Sequence, residues 1–221
     1  MSCSAKDKLF SPYENNGGTI IAIAGDSYAI IGSDTRLSKN PIIYTRRVSK
    51  LFKITNKTVL GCSGCWCDIL TFTRLVNSRL QIYKYQNNKT MSTEAVAQMI
   101  STMLYYKRFF PYYASYILAG LDNKDKGCVY SYDPIGHFEK TMYTSGGTGA
   151  TLVQPILDNQ IGFKNMLNVT SDSVELSDAV TLLEDTFMAV AERDIYTGDS
   201  VDLNIITKDG IEANSFDLRK D

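Results

Sequence analysis

Hydrophobic and polar positions along the 221-residue chain alternate between two regimes. Thr19-Ile20-Ile21-Ala22-Ile23-Ala24 is a short, unbroken apolar run, the pattern of a strand buried on both faces. Gly25-Asp26-Ser27 is turn chemistry, and Tyr28-Ala29-Ile30-Ile31-Gly32-Ser33 is a second strand, so the pair predicts a hairpin. Short strands follow at Leu51 to Ile54 and Thr58 to Cys62. The period then lengthens. Leu70, Thr73, Val76 and Leu80 keep helical spacing between Gly64 and Gln86. Ser92 is a good N-cap for a second helix, whose apolar stripe is Val96, Met99, Ile100, Met103 and Leu104. Strands return after Pro111, at Tyr112 to Leu121 and Gly127 to Tyr132, around the turn Asp122-Asn123-Lys124-Asp125-Lys126. A further strand is predicted over Phe138 to Tyr143. Gly146-Gly147-Thr148-Gly149 opens a short helix near Ala150 to Leu157. Ser177 is expected to cap a fourth helix carrying Val180, Leu183, Phe187, Val190 and Ala191. Val201 to Thr207, the turn Asp209-Gly210, and Ile211 to Leu218 close the chain.

Strands and helices come in groups, not in strict alternation. That order argues for an α+β fold with antiparallel sheets and segregated helices. Two sheets face to face with helices outside would bury every apolar face just described. No internal repeat or interdomain linker interrupts the pattern, so one domain is expected. Residues 1 to 16 are polar, carry Pro12, and read as an extension with little structure of its own.

Composition changes this picture little. Apolar residues make up 44%, charged residues 21%, and the net charge is −1, which calls for neither nucleic acid nor a membrane surface. No apolar run is long enough to cross a bilayer. Met1 to Lys8 has no apolar core of a secretory signal. The five cysteines (Cys3, Cys62, Cys65, Cys67, Cys128) are an odd number and read as reduced thiols of a cytosolic or nuclear protein. Cys62, Cys65 and Cys67 invite a metal reading. A structural zinc site needs about four ligands, and the only histidine, His137, is far away in sequence. The bland reading, structural thiols without a metal, is therefore the stronger one. A lone histidine in the turn Pro134-Ile135-Gly136-His137 also argues against a Ser-His or Cys-His triad.

Four groups of residues carry a resemblance. They are Phe10-Ser11-Pro12-Tyr13 with Asn16 to Ile20 and Gly32-Ser33-Asp34-Thr35-Arg36; Lys107 to Tyr113 with Ala119-Gly120-Leu121-Asp122; Gly127 to Pro134 with Leu157 to Gln160 and Phe163-Lys164-Asn165; and Ala191 to Asp199. From about Phe10 to the C-terminus the chain resembles proteasome beta subunits, closest to the member at the sixth position of the beta ring. The resemblance implies the N-terminal nucleophile hydrolase superfamily and its four-layer αββα sandwich.

In catalytic members of that family a threonine at the mature N-terminus attacks the scissile carbonyl, with its own amine as base. Residues of this chain that match the rest of that site are Asp34, Lys50, Thr148, Asp194 and Thr197. Asp34 and Lys50 agree on one register, sixteen and thirty-two residues beyond the nucleophile, and both count back to Gly18. Gly17 then sits where the family's cleavage glycine does. Glycine has no side chain and cannot attack a carbonyl, so the matching residues are expected to be a structural polar cluster. Thr19 is the competing candidate, as the start of an active threonine endopeptidase. It lies one residue along a strand, where side chains point to the opposite face, about 3.3 Å further on.

The resemblance thus implies a non-catalytic structural subunit, with residues 1–17 as a retained extension and 18–221 as the domain. Implied partners are adjacent beta subunits in a seven-membered ring, the opposing beta ring, alpha-ring subunits, and unfolded polypeptide in the chamber. Implied locations are cytoplasm and nucleus. Tyr132 and Asp133 are the candidates for a wall of the neighbouring subunit's substrate pocket. A free-standing hydrolase of the same fold is the remaining alternative.

Overall fold

A computed structural model describes residues 13–166 and 174–219. In chain order the strands and helices are β1 (Thr19–Ala24), β2 (Ala29–Asp34), β3 (Leu37–Lys39), β4 (Ile42–Thr45), β5 (Leu51–Thr55), β6 (Thr58–Gly64), α1 (Trp66–Asn87), α2 (Thr93–Tyr106), β7 (Ala114–Leu121), β8 (Gly127–Tyr132), β9 (Phe138–Thr141), β10 (Tyr143–Gly147), α3 (Ala150–Gln160), α4 (Leu176–Ala191), β11 (Ser200–Thr207) and β12 (Gly210–Asp217). One antiparallel sheet runs β10-β1-β2-β11-β12, the other β5-β6-β7-β8-β9, and β3 pairs with β4 as a separate ribbon.

The unbroken apolar runs follow from the layering. In β1, Ile20, Ala22 and Ala24 face the other sheet, while Ile21 and Ile23 face α3 and α4. Neither face of the strand meets water, so neither is polar. In β7, Ile117, Ala119 and Leu121 join the layer between the sheets, and Tyr116 and Leu118 pack under α1 and α2. Phe72, Val76, Val96, Ile100 and Leu104 close the core on that side, and Val153, Leu157, Leu183, Phe187 and Val190 close the other. The result is helix, sheet, sheet, helix: the expected α+β sandwich. Gly61 sets how closely the sheets approach, because a Cβ there would lie 2.8 Å from the Ile20 side chain and 2.9 Å from that of Ile31.

Two local expectations are corrected, and one ribbon is added. The apolar pattern over Phe138 to Tyr143 hides a change of sheet at Met142: β9 pairs with β8 and β10 with β1. Period-2 alternation marks extended chain but not its partner. Helix α4 starts at Leu176 with Glu175 as N-cap, so Ser177 lies inside the first turn with its hydroxyl toward Asp178. The β3–β4 ribbon was not expected, because its strands are short and β4 is largely exposed. Ser92 does cap α2, accepting from the Ala95 amide. The 1–17 extension is described only from Tyr13. From there to Gly18 it forms no helix or strand, yet it is bonded into the domain. Phe10, Ser11, Pro12 and Cys3 lie outside the described residues.

Candidate functional site

The candidate residues converge where β1 begins, β2 ends and β5 begins. Gly17 (φ 67°) and Gly18 (φ 97°) both sit in the left-handed region that favours glycine. A Cβ on Gly17 would lie 2.4 Å from the Tyr196 Cβ. A Cβ on Gly18 would lie 2.1 Å from Lys50 Nζ and 2.8 Å from Asp34 Oδ1. The ammonium of Lys50 thus fills the space that a side chain at position 18 would need. Lys50 and Asp34 are 1% and 0% exposed, and Nζ donates to Asp34 Oδ1 at 2.8 Å. The Thr19 amide donates to the same oxygen at 2.8 Å. Burial pushes the Asp34 carboxyl above its usual range, opposed by Lys50 and by the Thr19 and Gly198 amides.

A second polar group lies on the other side of the Gly18–Thr19 backbone. Thr148 Oγ1 and Thr197 Oγ1 each donate to Asp194 Oδ2 at 2.7 Å. With the Thr197 proton spent there, the Thr19 hydroxyl donates to Thr197 Oγ1 at 2.6 Å and accepts from the Gly149 amide at 3.1 Å. The Gly18 amide donates to Thr148 Oγ1, and the Gly18 carbonyl accepts from the Thr148 amide at 2.9 Å. Ser63 Oγ, from the end of β6, lies 2.9 Å from both the Gly17 and Gly18 carbonyls. Beside these groups a cleft of about 290 Å³ opens, lined by Asn15, Ser63, Tyr113, Ser115, Gly147 and Thr148 among others.

A third group braces the loop that carries Asp194 and Thr197. Asp199 (φ 70°) accepts from Arg36 Nε at 2.9 Å and from Arg46 Nη1, and Arg36 Nη1 donates to the Ile195 carbonyl. Burial alone would raise the Asp199 carboxyl, but the two guanidinium groups hold it below its ordinary value. Among the described residues no cluster of metal-ligating side chains forms. Cys62, Cys65, Cys67 and Cys128 are free thiols, and burial pushes Cys62 well up.

A family model described as Proteasome subunit matches residues 14–206. Proteasome subunit beta type-1 of Drosophila melanogaster is 58% identical over 214 residues, covering 96% of this chain and 91% of that protein. Proteins of the same name from Danio rerio (96% of this chain, 90% of that protein) and Arabidopsis thaliana (96% and 97%) are 50% and 44% identical. The chain belongs to the proteasome subunit family, among its beta type-1 members.

Within this proteasome beta subunit, Asp34, Lys50, Thr148, Asp194 and Thr197 surround Gly18 and Thr19, but as two groups on opposite sides of the backbone. Tyr132 sits at the end of β8. It is a core residue, with its ring against Phe138 and its hydroxyl donating to the Ala97 carbonyl under α2. Asp133 is half-buried, and its carboxylate accepts from the Ile135 and His137 amides, which makes it a turn residue. His137 is exposed. Sequence reasoning missed Ser63 and Asn16, whose partners lie 45 or more and 22 or more residues away.

Removing one member of a buried ion pair strands the other, so Lys50→Met is expected to cost about 3–5 kcal/mol in urea unfolding. Adding Asp34→Asn should return part of that, with a coupling of about 1–3 kcal/mol between the two positions. Additive losses would mean that the pair is not a unit. For Asp199 the folded value lies below the unfolded one, so its stabilisation is complete above about pH 4 and fades as pH falls through the folded value. Asp199→Asn, which tolerates the positive φ, should therefore lower stability at pH 7 and flatten the acid limb of a pH–stability curve. An acid limb as steep as the parent's would rule Asp199 out as its source.

Proposed function

We propose that the chain is a non-catalytic structural subunit of the 20S proteasome core, placed at the sixth position of the beta ring between neighbouring beta subunits, with an opposing beta ring and alpha subunits around it. It helps enclose the chamber in which other subunits cut unfolded polypeptide. The observation that carries this reading is Gly18. The retained aspartate and lysine converge on it, it has no side chain, and Lys50 occupies the space where one would stand. Threonine-type hydrolysis needs a hydroxyl within hydrogen-bond reach of its base, and position 18, beside Lys50 and Asp34, has no side chain to supply one. Similarity to type-1 beta subunits from animals and plants supports the place in the particle.

Thr19 is a poor nucleophile in this setting. Its side chain is fully buried and its hydroxyl proton goes to Thr197, across the strand from Lys50. A misplacement of about 1 Å can cost 100-fold in rate, and the offset here is a change of face.

A covalent inhibitor directed at terminal threonines, applied to intact particles, tests this. Catalytic subunits should be modified, and this chain should not, whether it carries glycine or the Gly18→Thr substitution. The substituted side chain would collide with Lys50, and the preceding peptide would leave it without a free amine. Label on Thr19 of the native chain would overturn the proposal. Label on the introduced threonine would show that glycine alone is what silences the site.

A further inference from the structure

We infer that Asn16 makes the residues ahead of Gly18 part of the domain itself, acting as a helix cap supplied from outside the helix. The 22-residue α1 begins at Trp66, and its own N-cap residue, Cys65, contributes no side-chain hydrogen bond. The first amides of a helix have no partner within it and need one from elsewhere. Asn16 supplies it: Oδ1 accepts from the Trp66 amide at 2.9 Å. The same side chain donates through Nδ2 to the Ser38 carbonyl of β3 at 3.1 Å. The Asn16 amide donates to the Gly64 carbonyl at the end of β6, also at 3.1 Å. One residue, 6% exposed, therefore ties together β3, β6 and α1.

Neighbouring residues fix its position. Asn15 Oδ1 accepts from the Gly17 amide, Ser63 holds the Gly17 carbonyl, and Tyr13 packs between Phe110 and Tyr113 with its hydroxyl on the Pro111 carbonyl. Cleavage before Gly18 or Thr19 would remove the cap of α1 and leave the Gly64 and Ser38 carbonyls without these donors. In this chain the segment is a strap whose loss would damage the domain, and this stands apart from what occupies position 18. The reading does not rest on the proposed lack of catalysis: an inactive chain could still have been trimmed without harm.

Hydrogen exchange on the intact particle, resolved to single amides, tests it. In the native chain the Trp66 amide should exchange as slowly as amides inside α1, at least 100-fold slower than an uncapped first-turn amide. Asn16→Ala should speed exchange at Trp66 by 10-fold or more. It should also open the 13–18 segment to a protease that leaves the native particle intact there, while amides near Val76 are unchanged. Fast exchange at Trp66 in the native particle would overturn the inference, and that measurement needs no variant. Unchanged exchange and proteolysis in Asn16→Ala would overturn it equally.

Discussion

Everything around Gly18 depends on one buried ion pair. Lys50 and Asp34 lie almost wholly out of water, where each charge alone would be very costly. Their separation of 2.8 Å and the Thr19 amide on the shared oxygen make the burial tolerable. The pair also dictates its surroundings. The ammonium reaches into the volume beside residue 18, so that residue has no room for a Cβ, and its φ of 97° adds a second demand for glycine. The Thr19 amide on Asp34 fixes the first residue of β1, an inner strand of its sheet. From there the alternation of β1 sends the Thr19 hydroxyl to Thr197 and Gly149, away from Lys50.

Much of the fold could be read from the chain because its inner strands are buried on both faces. Such strands are apolar along most of their length, as β1, β2 and β7 are, with buried polar residues such as Thr19 and Asp34 only at the site end. The helical stripes were legible for the converse reason: Val96, Ile100 and Leu104 on α2, and Leu183, Phe187 and Val190 on α4, each serve a single core. What escaped the sequence were features set by tertiary closure. Nothing near Met142 says that the chain leaves one sheet for the other. Ser63 is an ordinary polar residue at a strand end until folding brings the Gly17 and Gly18 carbonyls to it. The direction of the Tyr132 ring was not legible, because a tyrosine next to a turn can look outward or inward, and only α2 above it, offering the Ala97 carbonyl, decides.

The site residues were legible through their spacing, and the spacing told less than the geometry. Counting from Asp34 and Lys50 leads to Gly18, but it does not reveal which groups Thr148, Asp194 and Thr197 bond. Their hydroxyls and carboxylate hold the Gly18 backbone and the Thr19 side chain. Nor does it reveal Asn16, whose side chain and amide join three elements. The polar groups on both sides of the backbone thus hold the segment from Tyr13 into β1.

The most direct measurement of this account is the intact mass of the chain released from natively purified particles. A mass that includes the residues from Tyr13 through Gly17 is the predicted result, because the segment is built into the domain and no nucleophile at position 18 is present to cut it. A mass beginning at Gly18 or Thr19 would contradict it, since the chain would then be processed like a catalytic subunit despite the glycine.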